Sequence, residues 1–258
     1  MKIREAKTTD KKIILKFCKN TFSWGDYIED IWDYWIKEKN LFVIQQEIPL
    51  GLCHAFFSND QVWIEGIRIN PSFRKLGLAS KLISHVESIA SKKNIHSSLM
   101  LIDTENKISL SMAENLNYKV LETWKFYSLL PQSNENFNIN FGKISNISFP
   151  HYVLSWRWLP LDKKILKSLE TENKIILSDL DGKQAVVILT DSEHFEKTLT
   201  VTFWGGSKKN NLNLISFLQN FGFTNNYKRI QILTKESLSE FETLECKISF
   251  YLMKKILI

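Results

Sequence analysis

The chain has 258 residues, which is enough for two domains of moderate size. Hydrophobic residues make up 44% and charged residues 24%, so the composition supplies a core and excludes intrinsic disorder. The formal net charge is +6, but lysine and arginine are spread along the chain, so we expect no nucleic-acid partner. A modest positive charge suits a polyanionic small ligand, and it is equally consistent with an ordinary lysine-rich surface.

The cysteines, the histidines and the N-terminus indicate a cytoplasmic protein without a metal. Three cysteines at wide spacing argue against a disulfide framework and a zinc site, and they fit a reducing cytoplasm. The five histidines show no ligand spacing such as HExxH, so we expect no metal. Residues 1–5 lack the apolar run of a signal peptide, and no stretch of about 18 uncharged apolar residues occurs, so we expect no membrane insertion.

Hydrophobic periodicity in the first half predicts the order βααβββαβαβ. Apolar spacings of three and four residues predict helices, and alternating or continuous apolar runs predict strands. The predicted elements are a strand at 3–6, helices at 13–18 and 22–36, strands at 41–45, 51–58 and 62–69, a helix at 78–90, a strand at 98–102, a helix at 106–116 and a strand at 118–129.

A boundary is predicted where serine and asparagine accumulate after Pro131. The predicted domains are therefore residues 1–130 and 150–258, joined by a linker or long loop at 131–149. The second domain is predicted to contain a hairpin at 174–189, a strand at 198–203, a helix at 212–220, a strand at 229–233, a helix at 236–244 and a strand at 247–252. This order echoes the first half, which favours a degenerate second copy of the same α/β fold or a related α/β domain.

The turn after the strand at 62–69 has the features of an anion site. A helix opens directly after Gly77, so several backbone N–H groups lack helical partners, and glycine removes the Cβ that would keep a phosphate away. Arg74 and Lys75 add positive charge. Any strand-to-helix turn can contain glycine, so this spacing alone has low specificity.

The fuller pattern, Arg74-x-x-Gly77-x-Ala79, resembles the acetyl-CoA motif Gln/Arg-x-x-Gly-x-Gly/Ala of the GNAT superfamily of N-acetyltransferases. The resemblance covers about residues 1–130, and it implies a GNAT fold, with a mixed central sheet and flanking helices, and acetyl-CoA as co-substrate. It also implies that the main chain of the strand end pairs with pantetheine and that the loop amides hold the pyrophosphate. The residues concerned are Ile67, Arg68 and Ile69 in the strand and Arg74, Lys75, Leu76, Gly77, Leu78 and Ala79 in the loop.

Glu65 is the candidate general base. Strict alternation along the strand places it on the same face as Ile67 and Ile69, where it would be an isolated carboxylate among apolar neighbours. Such surroundings favour proton uptake, which is what a base needs to deprotonate an ammonium before the amine attacks a thioester. Many GNAT enzymes are similar in carrying a glutamate base here. The alternatives are a surface glutamate or a partner for Arg68.

The segment 106–118 resembles the family pattern Asn-x-x-Ala/Ser-x-x-Leu-Tyr-x-x-x-Gly-Phe, with Asn106 and Ser109 at its start. The resemblance implies that Asn106 caps the helix and that this helix start contacts the pantetheine arm. The sequence departs from the pattern at Ala113, where the family has the tyrosine that protonates the leaving thiolate. Tyr127 or water would have to act instead, or the thiolate leaves unassisted. This departure keeps open a non-catalytic module that binds acetyl-CoA or a partner.

The acceptor side is predicted near Asp26 and Tyr27, which open the helix that borders the acceptor pocket in GNAT folds. Asp26 would pair with an acceptor cation and Tyr27 would enclose its stem, with plain aromatic packing as the alternative. The run from Gly25 to Ile28, together with the run from Trp63 to Ile69, also resembles, faintly, histidine and other amino-acid N-acetyltransferases that carry a C-terminal extension. We therefore predict acetyl transfer to a primary amine of a small molecule or amino acid. A protein or peptide N-acetyltransferase is the alternative, and no oligomeric state is predicted.

Overall fold

The computed structural model describes residues 1–19, 21, 26–58, 60–141 and 149–257. The chain forms two compact units, Met1–Leu121 with Leu252–Ile258, and Glu122–Tyr251. This division differs from the predicted domains at 1–130 and 150–258. The strand that begins at Lys119 belongs to the second unit from Glu122 onward, and the last residues of the chain return to the first unit.

Residues 1–129 have the predicted order βααβββαβαβ, which confirms the periodicity argument, and residues 22–25 of the second predicted helix lie outside the described residues. Strands β1 to β4 are antiparallel neighbours in chain order, and β5 lies parallel to β4. The elements are β1 Lys2–Glu5, α1 Lys11–Cys18, α2 Ile28–Glu38, β2 Leu41–Gln45, β3 Pro49–Phe57, β4 Gln61–Ile69, α3 Leu78–Lys92, β5 Ser97–Asp103, α4 Lys107–Asn115 and β6 Lys119–Leu129.

The core of the first unit lies between the sheet and its helices. The first seven residues of β3 are buried without a break, as expected for a central strand that is covered on both faces. Helix α3 packs on β3 and β4, while α1 and α2 pack on β3 and β2. Both tryptophans of α2, Trp32 and Trp35, lie in the buried cluster that α1 and α2 form with these strands.

The contacts that hold residues 252–257 in the first unit include two hydrogen bonds. Lys255 donates to Glu87 at 2.7 Å, and the amide of Leu257 donates to the carbonyl of His96 at 2.8 Å. Glu87 lies on α3, so the C-terminal strand end is tied to the same helix that follows the glycine loop.

The second unit has a sheet in the order β14-β6-β13-β12-β11-β10-β7 and a separate two-stranded hairpin, β8 with β9. Helix α6 packs on β10, β11 and β13 and lies over the main cluster of this unit. The elements are β7 Asn140–Phe141, β8 His151–Leu154, β9 Arg157–Pro160, α5 Lys163–Thr171, β10 Ile175–Ser178, β11 Ala185–Asp191, β12 Thr198–Trp204, α6 Lys208–Thr224, β13 Arg229–Thr234 and β14 Leu244–Ile256.

The second unit repeats part of the order of the first in degenerate form. The run α5-β10-β11-β12-α6-β13-β14 matches α2-β2-β3-β4-α3-β5-β6, except that no helix separates the last two strands. The predicted helix at 236–244 is therefore wrong. Its apolar residues at helical spacing, Leu238, Phe241 and Leu244, instead pack against the main cluster from irregular chain and from the first residue of β14, and the amide of Leu238 donates to the Tyr127 hydroxyl.

The predicted linker at 131–149 is described at residues 131–141 and 149, and residues 131–141 are packed chain. Asn134 donates through its amide group to Gln219, and the backbone amide of Asn138 donates to the side chain of Asn213. Strand β7 within it pairs with β10. Residues 142–148 lie outside the described residues. The composition identified a segment without helical periodicity, but its polar side chains serve to dock it on α6.

Candidate active site

The parallel strands β4 and β5 separate toward their carboxyl ends. They pair at only three positions, from Gln61 with Ser97 to Trp63 with Leu99, although β4 continues to Ile69. On its other side β4 stays paired with β3 as far as Ile69. The result is a crevice between two neighbouring strands, where an extended ligand can pair with the edge of β4.

A β-bulge at Gly66 changes which side chains share a face of β4. His54 pairs with Glu65, and the next paired residues are Leu52 and Arg68. Between these two pairs β3 advances by two residues and β4 by three. Gly66 has φ +63°, and a Cβ there would lie 2.2 Å from an atom of the Trp35 ring, so only glycine fits. The extra residue places Glu65 and Arg68 on one face and corrects the expectation that Glu65 points the same way as Ile67.

Glu65 is not an isolated carboxylate. His54, its cross-strand neighbour, is fully buried, and its Nδ1 lies 2.9 Å from Glu65 Oε1. The other ring nitrogen, Nε2, lies 2.8 Å from Glu38 Oε2 at the end of α2, a close contact whose angle is not that of a hydrogen bond. The His54 ring stacks on the Trp35 ring, with 4.4 Å between the two ring centres. No spacing rule in the sequence indicated His54 or Glu38, because the three residues meet only in the folded sheet.

Asp26 and Arg68 form a bidentate pair, with Nε to Oδ2 at 2.6 Å and Nη2 to Oδ1 at 3.1 Å. The Asp26 side chain is 3% exposed, and that of Arg68 is 10% exposed. Arg68 also lies over the Tyr27 ring, 5.3 Å from its centre, and burial raises the pKa of Tyr27. The predicted carboxylate for an acceptor cation thus has an arginine partner within the chain. Trp24 and Gly25, which precede it, lie outside the described residues.

The loop from Arg74 to Ala79 has the geometry of an anion site. Lys75 and Gly77 have φ +62° and +70°, and α3 begins at Leu78 with no side chain capping its first amides. A Cβ on Gly77 would meet nothing within 4 Å, so the space beside the loop is open. Leu78, the first residue of α3, is buried. These residues lie on the path from β4 into α3, directly after the end of the crevice.

Asn106 caps α4 as predicted, because its Oδ1 accepts from the Ser109 amide at 3.1 Å. Ala113 is fully buried and offers no hydroxyl. Tyr127, proposed from the sequence as a substitute acid, lies in the cluster of the second unit, where burial raises its pKa and its hydroxyl accepts from the Leu238 amide at 3.2 Å. The contact of Asn106 and Ser109 with pantetheine stays a prediction.

Among the described residues of the second unit, the corresponding parallel strands do not separate. Its parallel strands β12 and β13 pair at six consecutive positions, from Thr198 with Arg229 to Phe203 with Thr234. The start of α6 is also capped from within the chain, because Ser207 accepts from the Asn210 amide. The sequence between Trp204 and Leu212 also contains no second Arg-x-x-Gly-x-Ala pattern, which agrees with the continuous pairing of β12 and β13.

Residues 12–118 match the sequence model of the acetyltransferase (GNAT) family. The fold is that of the GNAT acetyltransferases. The family match and the GNAT fold support an acyltransferase, and GNAT proteins use acetyl-CoA. No curated protein matches the sequence significantly.

Solved structures share the GNAT fold over nearly the whole chain. A GCN5-related N-acetyltransferase from Sphaerobacter thermophilus is 10% identical, with 99% of this chain and 95% of that chain covered and a TM-score of 0.65. A proposed acetyltransferase from Thermoplasma acidophilum is 14% identical, with 99% and 100% covered and a TM-score of 0.66. At these identities the similarity shows the fold alone. The comparisons do not confirm the fainter resemblance to histidine and amino-acid acetyltransferases.

The described residues have neither a metal cluster nor a membrane-spanning helix. Within these ranges no group of three or more histidine, cysteine, aspartate or glutamate side chains has the arrangement of a metal site. No helix of the described part is both long and apolar enough to cross a membrane.

Proposed function

We propose that this chain is an N-acetyltransferase that moves acetyl from acetyl-CoA to a primary amine of a small molecule or amino acid. The observation that carries the proposal is the crevice between β4 and β5, which ends beside the open loop at Gly77 and has Glu65 on its first strand. A binding groove, an anion site and a carboxylate are thereby brought onto one short stretch of chain.

In this proposal the main chain of Ile67, Arg68 and Ile69 pairs with the pantetheine arm, as an added strand would. The amides from Arg74 to Ala79 hold the pyrophosphate, with help from the positive end of α3. Asn106 and Ser109 contact the pantetheine arm at the start of α4. Arg68 contributes only its backbone, since its guanidinium is held by Asp26.

Glu65 acts as the general base. It takes a proton from the acceptor ammonium, directly or through one water, and the neutral amine nitrogen then forms a bond to the thioester carbonyl carbon as the carbon–sulfur bond breaks. The sulfur of coenzyme A leaves as a thiolate. Because a thiol has a pKa of about 8.5, this thiolate can leave without the acid that the family has at the position of Ala113. The cytoplasm is the proposed compartment.

Turnover tests the proposal. Purified protein is assayed for thiol release from acetyl-CoA with free amino acids, polyamines and short peptides, with Glu65→Gln and the exposed Glu29→Gln as a matched control. Glutamine is isosteric and keeps an oxygen for His54, so we expect Glu65→Gln to fold and bind acetyl-CoA but to lose roughly 10²- to 10⁴-fold in kcat/KM.

The other outcomes separate the alternative functions. Acetyl-CoA binding without thiol release across the panel would favour the binding module that Ala113 keeps open. Release with peptides alone would favour a protein or peptide N-acetyltransferase. Full activity of Glu65→Gln would refute the assignment of the base.

A further inference from the structure

His54 joins two carboxylates from different elements at a place that solvent does not reach. Its two ring nitrogens contact Glu65 on β4 and Glu38 at the end of α2, at 2.9 and 2.8 Å. The ring is fully buried and stacked on Trp35, whereas the side chains of Glu65 and Glu38 are 13% and 17% exposed. The base of the proposed reaction is thus one end of a carboxylate–imidazole–carboxylate array, named here the Glu38–His54–Glu65 array.

The geometry determines which form of the ring suits both of its neighbours. A neutral imidazole carries one N–H, so its second nitrogen would present a lone pair to a carboxylate oxygen less than 3 Å away. The nitrogen and oxygen lone pairs would repel each other, and the burial of the ring limits screening by solvent. An imidazolium, which carries an N–H on both nitrogens, is the form that matches a carboxylate oxygen on each side.

Other titratable groups around the ring do not compete for the second proton of the imidazolium. Burial raises the pKa of Tyr27 and of Cys53, so both stay neutral near pH 7. Asp26 and Arg68 neutralise each other in their bidentate pair. Among the described residues that face the ring from α2, β3 and β4, Glu38 and Glu65 are thus the charged groups that contact it.

An imidazolium beside Glu65 has opposing effects on a base. It fixes Oε1 and so directs the other oxygen toward the proton to be removed, but its positive charge lowers the proton affinity of the carboxylate. Glu38, on the far side of the ring, supplies a negative charge that offsets the imidazolium. With Glu38 ionised, Glu65 is both oriented and basic.

We propose that His54 and Glu38 are positioning residues for the proposed acetyl transfer, with His54 orienting the base Glu65 and Glu38 preserving its basicity. This inference rests on the proposed function, because it assigns a partner to the base of that reaction. The proton taken from the ammonium resides on Glu65 and passes to solvent when the product has left, so that the charge of the array returns to its starting value.

The test is the pH dependence of kcat/KM with a single acceptor, so that the ionisation of the acceptor is common to all curves. Glu38→Gln removes the offsetting charge, and we expect the acidic limb to move to lower pH by about one unit and the plateau to fall about tenfold. His54→Asn keeps a donor near the Nδ1 position but removes the cation, and we expect the acidic limb to move to higher pH. Glu29→Gln, on the first turn of the same helix, should match the wild type.

A double-mutant cycle adds a readout that a purely structural role would not produce. In the Glu65→Gln background, Glu38→Gln should cause no further loss of residual turnover, because the base whose proton affinity it adjusts is gone. Acetyl-CoA binding and the unfolding midpoint are measured for each variant. If His54→Asn does not fold, the direction of the Glu38→Gln shift and the cycle decide the question.

The results separate this inference from the proposed function. Loss of turnover in Glu65→Gln together with unmoved acidic limbs in Glu38→Gln and His54→Asn would overturn the array and leave the base intact. Limbs that move in the same direction, or a Glu38→Gln loss that persists in the Glu65→Gln background, would also overturn it. Full turnover of Glu65→Gln would remove both the base and the array.

Discussion

Replacing Gly66 by alanine tests the bulge that aligns the proposed base. Gly66 has φ +63°, which costs an alanine about 1–2 kcal/mol. The new Cβ would also lie 2.2 and 2.5 Å from two atoms of the Trp35 ring, and relieving such overpacking costs about 1–3 kcal/mol. We expect the free energy of unfolding of the first unit to fall by about 2–5 kcal/mol in total.

Gly77→Ala is the matched control for this substitution. Gly77 lies in the same unit with φ +70°, but an added Cβ would meet nothing within 4 Å. In the absence of ligand, the Gly77→Ala protein should therefore lose only the free energy that an alanine with positive φ costs, about 1–2 kcal/mol. Urea unfolding, followed by far-UV circular dichroism and by tryptophan fluorescence, measures the free energy of unfolding of both variants. The difference between the losses in Gly66→Ala and Gly77→Ala is the cost of displacing Trp35.

The substitution also has a consequence for activity, because Trp35 stacks on His54. A displaced indole moves the imidazole that holds Glu65, so Gly66→Ala should lower kcat more than it weakens acetyl-CoA binding. Equal losses of stability in Gly66→Ala and Gly77→Ala would refute the reasoning, because they would show that Trp35 does not occupy the space beside Gly66.

Two further predictions concern the glycine loop and the N-terminal ion pair. Gly77→Ala should weaken acetyl-CoA binding about tenfold in calorimetry, because the methyl group keeps a phosphate from the loop amides. The control is Gly182→Ala, which also lies in open space with φ +79° and should leave acetyl-CoA binding unchanged. Equal effects of the two substitutions would contradict the anion site. Burial opposes ionisation of Asp10, but hydrogen bonds from Arg4 and the Lys7 amide hold its pKa below the ordinary value. Its stabilisation is therefore present above about pH 4 and is lost as the pH falls through the lower folded-state pKa. Asp10→Asn should cost about 1–3 kcal/mol at pH 7. The urea midpoints of the two proteins should converge as the pH falls below the folded-state pKa of Asp10, and a difference independent of pH would contradict this.

Local patterns were sufficient for the elements of the first unit. Amphipathic helices such as α3 and buried strands such as β3 carry their burial pattern in their own residues, so periodicity identifies them. The second unit was less predictable, because the segment at 236–244 has apolar residues at helical spacing that pack as irregular chain. Periodicity reports which residues are buried, and tertiary contacts determine the backbone that buries them.

The candidate site also has one part that local sequence predicts and another part that depends on the fold. The loop from Arg74 to Ala79 and the cap at Asn106 are local, since each depends on a few consecutive residues whose types set the backbone. Glu65 was identified from its strand, but its surroundings were not, because strict alternation overlooks a bulge. The glycine at position 66 was the one available signal for that bulge.

The sequence by itself determined the α/β fold, the order of elements in the first unit and the glycine loop that resembles an acetyl-CoA motif, since all of these follow from neighbouring residues. Only the tertiary structure decided that β4 separates from β5 while β12 stays paired with β13. It also decided that Asp26 is paired with Arg68 and that His54 links Glu65 to Glu38. These contacts join residues from 11 to 42 positions apart, and such pairings depend on sheet register and helix packing, which no local pattern encodes.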